Sequence, residues 1–215
     1  MKLIILLSQL FISTMFSQIS DTLSVHLQEI SENTYRLATI LINTEKREIQ
    51  IPGKVNINTG LIEVFACAPF GKLHESVLVL DVVPYYLQVS LLLLGLNSTE
   101  LNEYLENKEK ADLVEIYVEW EKDGKQVRFS AEDLIFNIKD SCSMKHTKWV
   151  FIGSKIINGR FMADENRSLI TTYNDPFTII DNPLKDGNND EVYFANSKII
   201  PPKNTSVNLI IKATN

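Results

Sequence analysis

Residues 114–120 alternate strictly between apolar and polar side chains, and this pattern constrains the fold more than any other feature of the chain. Such alternation predicts a β-strand with one face on a core and the other toward solvent. Asp123 and Gly124 follow, and this dipeptide favours the tight turn of a β-hairpin. The returning strand is predicted at residues 126–129.

Strand patterns recur along the rest of the chain. Asn58 to Gly60 is predicted to form a hairpin turn between residues 54–57 and 61–66, and a continuously apolar run at 77–80 predicts a strand covered on both faces. Helical patterns are interspersed without a regular βαβ rhythm. The predicted fold class is therefore α+β, with a largely antiparallel sheet. Further strands are expected at residues 24–30, 35–42, 47–51, 149–152, 160–163, 169–173 and 207–212.

A helix is predicted near residues 82–94. Asp81 stands at the N-cap position, Pro84 falls in the first turn and Gly95 follows the last apolar residue. The residues between them are apolar almost all round, which is typical of a helix buried in the core. The segment is too short to cross a bilayer.

One or two short surface helices are also expected. Residues 98–110 are polar, with apolar side chains at helical spacing, and predict the first. Ser130 and Asp133 form a pattern like a capping box, which predicts a second helix ending at Ile138.

The N-terminus has the pattern of a secretory signal peptide. Lys2 precedes an apolar run that ends at Phe16, and the run is shorter than a membrane span. Cleavage is predicted near Ser17/Gln18. The mature chain, residues 18–215, is expected to be a single domain that is periplasmic or secreted, with its first ~15 residues loosely attached and no membrane span.

Composition and charge exclude several classes of protein. The chain has 45% hydrophobic and 22% charged residues, which is ordinary globular composition, and its formal net charge is −6. No block of basic residues is present, so a nucleic-acid partner is not expected. The predicted partner is an unknown envelope protein or a small polar ligand.

Cys67, His74 and Glu75 are the first candidate for a catalytic site. A thiol nucleophile needs a base that generates the thiolate and a third group that orients the base, and these three residues supply those groups. Their spacing matches no known protease or redox signature. In the alternative interpretation, Cys67 is a small buried apolar residue, while His74 and Glu75 satisfy backbone groups where a strand begins.

Cys67 and His74 are also candidate ligands for zinc or copper, although one such pair is weak evidence. No cofactor is predicted from the sequence. The two cysteines, Cys67 and Cys142, either form a disulfide in an oxidising compartment or remain free. His26 and His146 are isolated in the sequence and are assigned to the surface or to ordinary core.

The region after Tyr173 is rich in asparagine and aspartate. Residues 186–190 imitate the opening of a calcium-binding loop, but Glu191 and Ser197 occupy positions where that loop needs Gly and Glu. Such residues can lie together and bind calcium or a polar ligand. Alternatively, they form turns. The candidate ligand-binding residues are Asn174, Asp175, Asp181, Asp190 and Glu191.

Several segments together resemble one family, the YdjY-like domain proteins of bacteria. The resemblance covers the chain from about Tyr35 to the C-terminus. It implies an exported, single-domain protein and brings no known activity. The matching segments are 51–56, 60–63, Cys67 with 71–72 and 74–76, 91–96, 149–154, 163–164, 173–176, 181–183 and 190–192.

These observations favour an exported cell-envelope protein that binds a ligand or partner and is not an enzyme, because no catalytic signature is complete. The alternative is a thiol- or metal-dependent envelope enzyme centred on Cys67 and His74.

Overall fold

The computed structural model describes residues 27–107 and 110–214, and within them the chain is mostly β. The predicted signal peptide and its cleavage position lie outside these residues. Seventeen strands are present in the described part of the chain. They are β1 Leu27–Ser31, β2 Thr34–Leu37, β3 Ile40–Asn43, β4 Glu48–Val55, β5 Val64–Cys67, β6 Ser76–Leu80, β7 Leu113–Lys122, β8 Lys125–Ser130, β9 Ile135–Asn137, β10 Cys142–Ser143, β11 Trp149–Phe151, β12 Ile156–Ile157, β13 Arg160–Phe161, β14 Ser168–Thr171, β15 Ile180–Asp181, β16 Tyr193–Ala195 and β17 Ser206–Ala213.

Eight of these strands close into a barrel. The order around it is β4, β17, β7, β11, β15, β14, β5 and β6, and pairing of β6 with β4 completes the ring. Two neighbouring pairs, β14 with β15 and β5 with β6, are parallel, while the other pairs in the ring are antiparallel. Closure leaves the ring without a free edge.

The remaining strands extend this ring. β1, β2 and β3 continue outward from β4, and β8 pairs with β7. A small sheet contains β9, β10 and β16, and β12 pairs with β13. The predicted hairpin of β7 and β8 is confirmed, with its turn at Asp123 and Gly124, both of which have positive φ.

Alternation along the long strands fills the barrel core. Every second residue of β7, from Val114 to Trp120, is buried. Ile49 and Ile51 of β4 pack in the same core as Leu209 and Ile211 of β17. Trp149 on β11 lies 6.3 Å from Phe65 on β5, measured between ring centroids, so the aromatic side chains join the two sides of the barrel.

The α+β prediction is wrong, because the described part of the chain contains only three short α-helices around a closed β-structure. They are α1 Pro84–Leu93, α2 Leu101–Glu106 and α3 Met162–Asn166. The helix near residues 82–94 was expected to be buried, yet Leu92 is 48% exposed. Side chains from the strands fill the core, so α1 packs on it through one face only, with Leu87 and Leu91 fully buried.

Two local predictions also fail. The capping box of Ser130 and Asp133 is present, but it opens a single 3-10 turn and not a helix that reaches Ile138. Ile135 to Asn137 instead pair with β16, since apolar β-branched and aromatic residues suit a strand. The segments around Asn58 to Gly60 do not form a hairpin, because β4 pairs with β6 and β17 while β5 pairs with β6 and β14.

No helix within the described ranges is long and apolar enough to cross a membrane.

Candidate functional site

Asp181 is a carboxylate buried at the end of a barrel strand. It is the last residue of β15, where its backbone pairs with Val150 of β11 on one side and with Thr171 of β14 on the other. Only 1% of its surface is exposed. The backbone of Asp181 is therefore fixed by both neighbouring strands, and its side chain is removed from water.

The two oxygens of this carboxylate have different surroundings. Oδ1 accepts hydrogen bonds from the Thr171 hydroxyl at 2.8 Å, the Asn182 backbone N–H at 2.8 Å and the Asn174 side-chain amide at 3.3 Å. Oδ2 is inaccessible to solvent and has no hydrogen-bond partner in the described part of the chain. Buried polar atoms are nearly always paired, so an unpaired carboxylate oxygen needs an explanation.

Burial also changes the proton affinity of this group. Loss of hydration raises the pKa of Asp181, the hydrogen bonds from Thr171, Asn182 and Asn174 lower it, and the negative charge of Asp175 raises it. Together these causes bring the pKa to about 7. An acid with a pKa this far from its usual range is a marker of functional sites.

Asp181 lines a cavity of about 220 Å³, which we call the Asp181 pocket. Lys155 and Glu100 form an ion pair of 3.1 Å, and their partly exposed side chains place this pair at the rim. Leu101 and Ile152 supply an apolar wall and belong to one small hydrophobic cluster. The full lining is Glu100, Leu101, Asn102, Ile152, Lys155, Asn174, Pro176 and Asp181.

Asn174 is held in a fixed orientation beside the acid. Its backbone N–H donates to the Gly187 carbonyl at 2.7 Å, and its side-chain amide donates to the Asn182 carbonyl at 2.8 Å as well as to Asp181. Gly187 approaches so closely that a Cβ there would lie 2.8 Å from the Asn174 amide nitrogen. The absence of a side chain at position 187 therefore allows this arrangement.

The other acidic residues singled out in this region do not line the pocket. Asp175 accepts a hydrogen bond of 2.8 Å from the Phe177 backbone N–H and so builds a turn. Asp190 and Glu191 are exposed. Of the five residues predicted to bind a ligand, the structure brings together Asn174 and Asp181, with Asp175 close enough for its charge to act on Asp181.

Cys67 and His74 lie in contrasting environments. Cys67 on β5 is fully buried, and this burial raises the pKa of its thiol, which disfavours the reactive thiolate. The His74 side chain is 81% exposed and lies 3.5 Å from the Glu75 carboxylate. Both cysteines are free, Cys67 buried and Cys142 exposed, so they do not form a disulfide.

His74 and Glu75 instead belong to a charged surface cluster with Glu63. Lys72 lies 3.8 Å from Glu63 and 3.3 Å from Glu75. Burial raises the pKa of Glu63, as do the negative charges of Glu75 and Asp190. The nearby Lys72 and His74 lower it. The His74 turn and the acidic region thus approach each other at Glu63, outside the Asp181 pocket. The described residues contain no group of three or more His, Cys, Asp or Glu side chains arranged to hold a metal.

A second buried carboxylate, Glu132, borders an open groove of about 560 Å³ that the sequence did not indicate. Glu132 Oε1 accepts hydrogen bonds from the Trp149 indole at 2.8 Å and the Thr147 backbone N–H at 3.4 Å. His146, which the sequence left as isolated, is exposed and lies 3.3 Å from Asp133. The carboxylate here holds Trp149 and the residues before β11 in place.

Sequence reasoning missed most of the Asp181 pocket. Glu100, Asn102 and Lys155 are ordinary surface residue types, and no local pattern distinguishes them. Leu101 and Ile152 are apolar residues of the kind that commonly pack in a core. The available signal was the Asp-Asn-Pro sequence at 181–183, which follows apolar residues and places a carboxylate at the end of a strand.

Comparison with known proteins identifies a family. The family model of the YdjY domain matches residues 40–212, which is most of the chain. No curated protein and no solved structure matches the sequence.

Proposed function

The chain belongs to the YdjY domain family, and we propose that it is an exported cell-envelope module that binds a small polar ligand in the Asp181 pocket and is not an enzyme. Asp181 forms the floor of the site, Asn174 is the adjoining hydrogen-bonding group, and Leu101 and Ile152 form the apolar wall.

The observation that carries this proposal is a cavity whose lining includes the buried Asp181, a carboxyl group whose pKa is raised to about 7. A buried acid with a shifted pKa beside a cleft is a marker of a functional site. The cavity of about 220 Å³ equals the liquid volume of about seven water molecules, so the ligand that fits is small.

The lining of the pocket favours binding over catalysis. Its residues include no Ser, Thr, Cys or His that would act as a nucleophile. Lys155 and Glu100 are paired with each other at the rim. The remaining ionisable group is Asp181, which with Asn174 and the apolar wall resembles the few polar groups in an apolar cavity that are typical of ligand sites.

The alternative enzyme centred on Cys67 and His74 has no supporting observation. A nucleophilic thiol needs exposure and a lowered pKa, whereas Cys67 is buried and the pKa of its thiol is raised. We therefore propose the Asp181 pocket as the binding site.

A ligand screen by thermal denaturation tests the proposal. At pH 8, where Asp181 is ionised, compounds that bind the pocket are expected to raise the melting temperature of the wild type, because binding only the folded state stabilises it. The same compounds are expected to have no effect on Asp181→Asn relative to its own baseline.

Asp190→Asn is the matched control, since it makes the same chemical change on an exposed carboxylate and is expected to respond like the wild type. The proposal fails if no compound in a library of small polar molecules stabilises the wild type, or if the stabilising compounds act equally on Asp181→Asn.

A further inference from the structure

We propose that a second copy of this chain docks on the turn formed by residues 68–71, which we call the Phe70 turn. In this dimer the Phe70 ring of each copy enters a groove beside the same turn of the other copy. The groove shares no residue with the lining of the Asp181 pocket, so this inference goes beyond the proposed ligand binding.

Phe70 is exposed in a backbone conformation that its residue type disfavours. Its surface is 93% open to solvent, and its φ is +65°. The Gly71 N–H donates to the Ala68 carbonyl at 3.1 Å, which makes a β-turn with Pro69 second and Phe70 third. Positive φ at the third position suits Gly or Asn, and an aromatic residue there costs free energy. An unfavourable conformation that presents an apolar ring to solvent points to a binding role.

The Phe70 turn is fixed at its base. Ala68 follows β5 directly, is fully buried, and donates its N–H to the Arg167 carbonyl at 2.9 Å. Gly71 packs so closely on the same residue that a Cβ at position 71 would lie 2.8 Å from the Arg167 Cβ. The backbone that carries Phe70 is therefore already ordered, and a partner that binds the ring does not have to order the loop first.

A groove beside this turn suits an aromatic ring. Its volume is about 440 Å³, twice that of the Asp181 pocket, and we call it the Pro69 groove. Pro52, Pro69 and Val79 offer apolar surface, and the charges of Lys54 and Asp81 cancel, so the groove is neutral overall. The full lining is Pro52, Gly53, Lys54, Pro69, Val79, Asp81, Asn204 and Ser206.

The ring and the groove lie on the same face, and this selects a second copy as the partner. Pro69 lines the groove and Phe70 is the next residue, yet the exposed Phe70 ring stays outside its own groove. A two-fold axis between the ring and the groove brings each ring opposite the groove of the other copy. A surface that is complementary to itself in this way is what a symmetric dimer requires.

The charges near the Phe70 turn favour this partner over a lipid surface. Lys72 lies 3.3 Å from Glu75 and 3.8 Å from Glu63, so its positive charge is already paired. Anionic lipid attracts clusters of unpaired Lys and Arg residues next to the inserted apolar group. The acidic neighbours of this turn oppose such binding, whereas they do not oppose docking into a neutral groove.

Sedimentation equilibrium of the wild type tests the inference. A monomer–dimer equilibrium is expected with a dissociation constant on the order of 0.1 mM, because one aromatic ring from each copy gives a small interface. Phe70→Asn is expected to weaken dimerisation at least tenfold without lowering the melting temperature of the monomer, since Asn tolerates a positive φ. Phe70→Tyr keeps the ring and should dimerise like the wild type.

A substitution in the groove tests the other half of the contact. Ser206→Tyr, at an exposed position of the lining, is expected to fill the Pro69 groove from its own chain and to weaken dimerisation at least tenfold. A mixture of Phe70→Asn and Ser206→Tyr retains one intact ring and one intact groove, so it should form a heterodimer that neither variant forms alone. Leu92→Asn, which removes an exposed apolar residue of α1, is the control and should dimerise like the wild type.

Several results would overturn the proposal. They are a wild type that stays monomeric up to about 1 mM, ten times the expected dissociation constant, or a dimer that persists unchanged in Phe70→Asn or in Ser206→Tyr. Binding of the wild type, but not of Phe70→Asn, to vesicles of phosphatidylglycerol and phosphatidylethanolamine would assign the Phe70 turn to a lipid surface and would also overturn it.

Discussion

Asp181 and Glu132 are both carboxylates removed from solvent, with 1% and 3% of their surfaces exposed, yet their surroundings differ. Glu132 Oε1 receives the Trp149 indole N–H, and so the acid fixes a core aromatic residue. Asp181 has three donors crowded on Oδ1 and none on Oδ2, and this residue lines the Asp181 pocket.

The difference shows that burial alone does not identify a functional acid. A buried carboxylate whose hydrogen bonds hold its own surroundings contributes to folding, because removing it leaves buried donors unpaired. One that keeps an unpaired oxygen reduces the stability of the ionised protein. Such a loss of stability is common where a site is kept ready for a ligand.

The largest expected effect is the pH dependence of stability. Folding raises the pKa of Asp181 from its ordinary 3.8 to about 7, so the folded state holds a proton that the unfolded state has released. The stabilisation is complete below pH 3.8 and is lost as the pH rises to 7, a change of about 4 kcal/mol. Urea denaturation of the wild type and Asp181→Asn from pH 4 to 8 measures it.

Asp181→Asn is expected to lack this decline and to exceed the wild type in free energy of unfolding at pH 8 by up to about 3 kcal/mol, since the unpaired amide offsets part of the gain. Asp190→Asn serves as the control for removing one carboxylate and should keep the wild-type decline. Parallel curves for the wild type and Asp181→Asn would contradict the assignment of a buried, unpaired acid.

Removing Glu132 is expected to have the next largest effect, with the opposite sign. Glu132→Ala leaves the Trp149 indole and the Thr147 N–H without an acceptor and should lower the free energy of unfolding by about 3 kcal/mol at pH 8. Glu132→Gln keeps an oxygen in place and should lose less than half as much. A change under about 0.5 kcal/mol in Glu132→Ala would remove the contrast between the two acids.

Crowding Asn174 should affect the Asp181 pocket more than the fold. Gly187→Ala places a Cβ 2.8 Å from the Asn174 amide nitrogen and should cost about 1–2 kcal/mol while weakening ligand binding, because Asn174 must move. Asn188→Ala, next to it on the exposed surface, is the control and should change stability by less than about 0.5 kcal/mol. Unchanged binding in Gly187→Ala would show that Asn174 does not position the site.

The smallest effects are expected at the residues that the sequence marked as reactive. His74→Ala should alter stability by less than about 0.5 kcal/mol, because its side chain is exposed. An aromatic disulfide reagent should titrate one thiol in the folded protein, that of Cys142, and reach Cys67 only after unfolding. Rapid reaction of a Cys142→Ser variant would return Cys67 to consideration as a nucleophile.

Local patterns predicted strands better than they predicted their arrangement. The alternation in β7 and the Asp123-Gly124 turn determine a hairpin from neighbouring residues, and that hairpin is present. Pairing of β6 with β4 closes the barrel through long-range contacts, which no local pattern encodes. The apolar residues of α1 predicted burial, but the closed ring leaves room for only one face of that helix.

The candidate site was predictable only in part, for a similar reason. Asn174 and Asp181 were selected by residue type, and both line the pocket. Asp190 was selected by the same criterion and is exposed, because residue type does not reveal which turn faces a cavity. Glu100 and Lys155 reach the rim from separate segments and carry no pattern that would reveal it.

The most direct test of the central claim is an NMR titration of the Asp181 side-chain carboxyl carbon, with and without a compound that the thermal screen identifies. A midpoint near pH 7 in the free protein is expected, since burial raises the pKa of this group to about 7, and the bound compound should move the midpoint. A midpoint near 4 that the compound does not move would contradict both the buried acid and its role in binding.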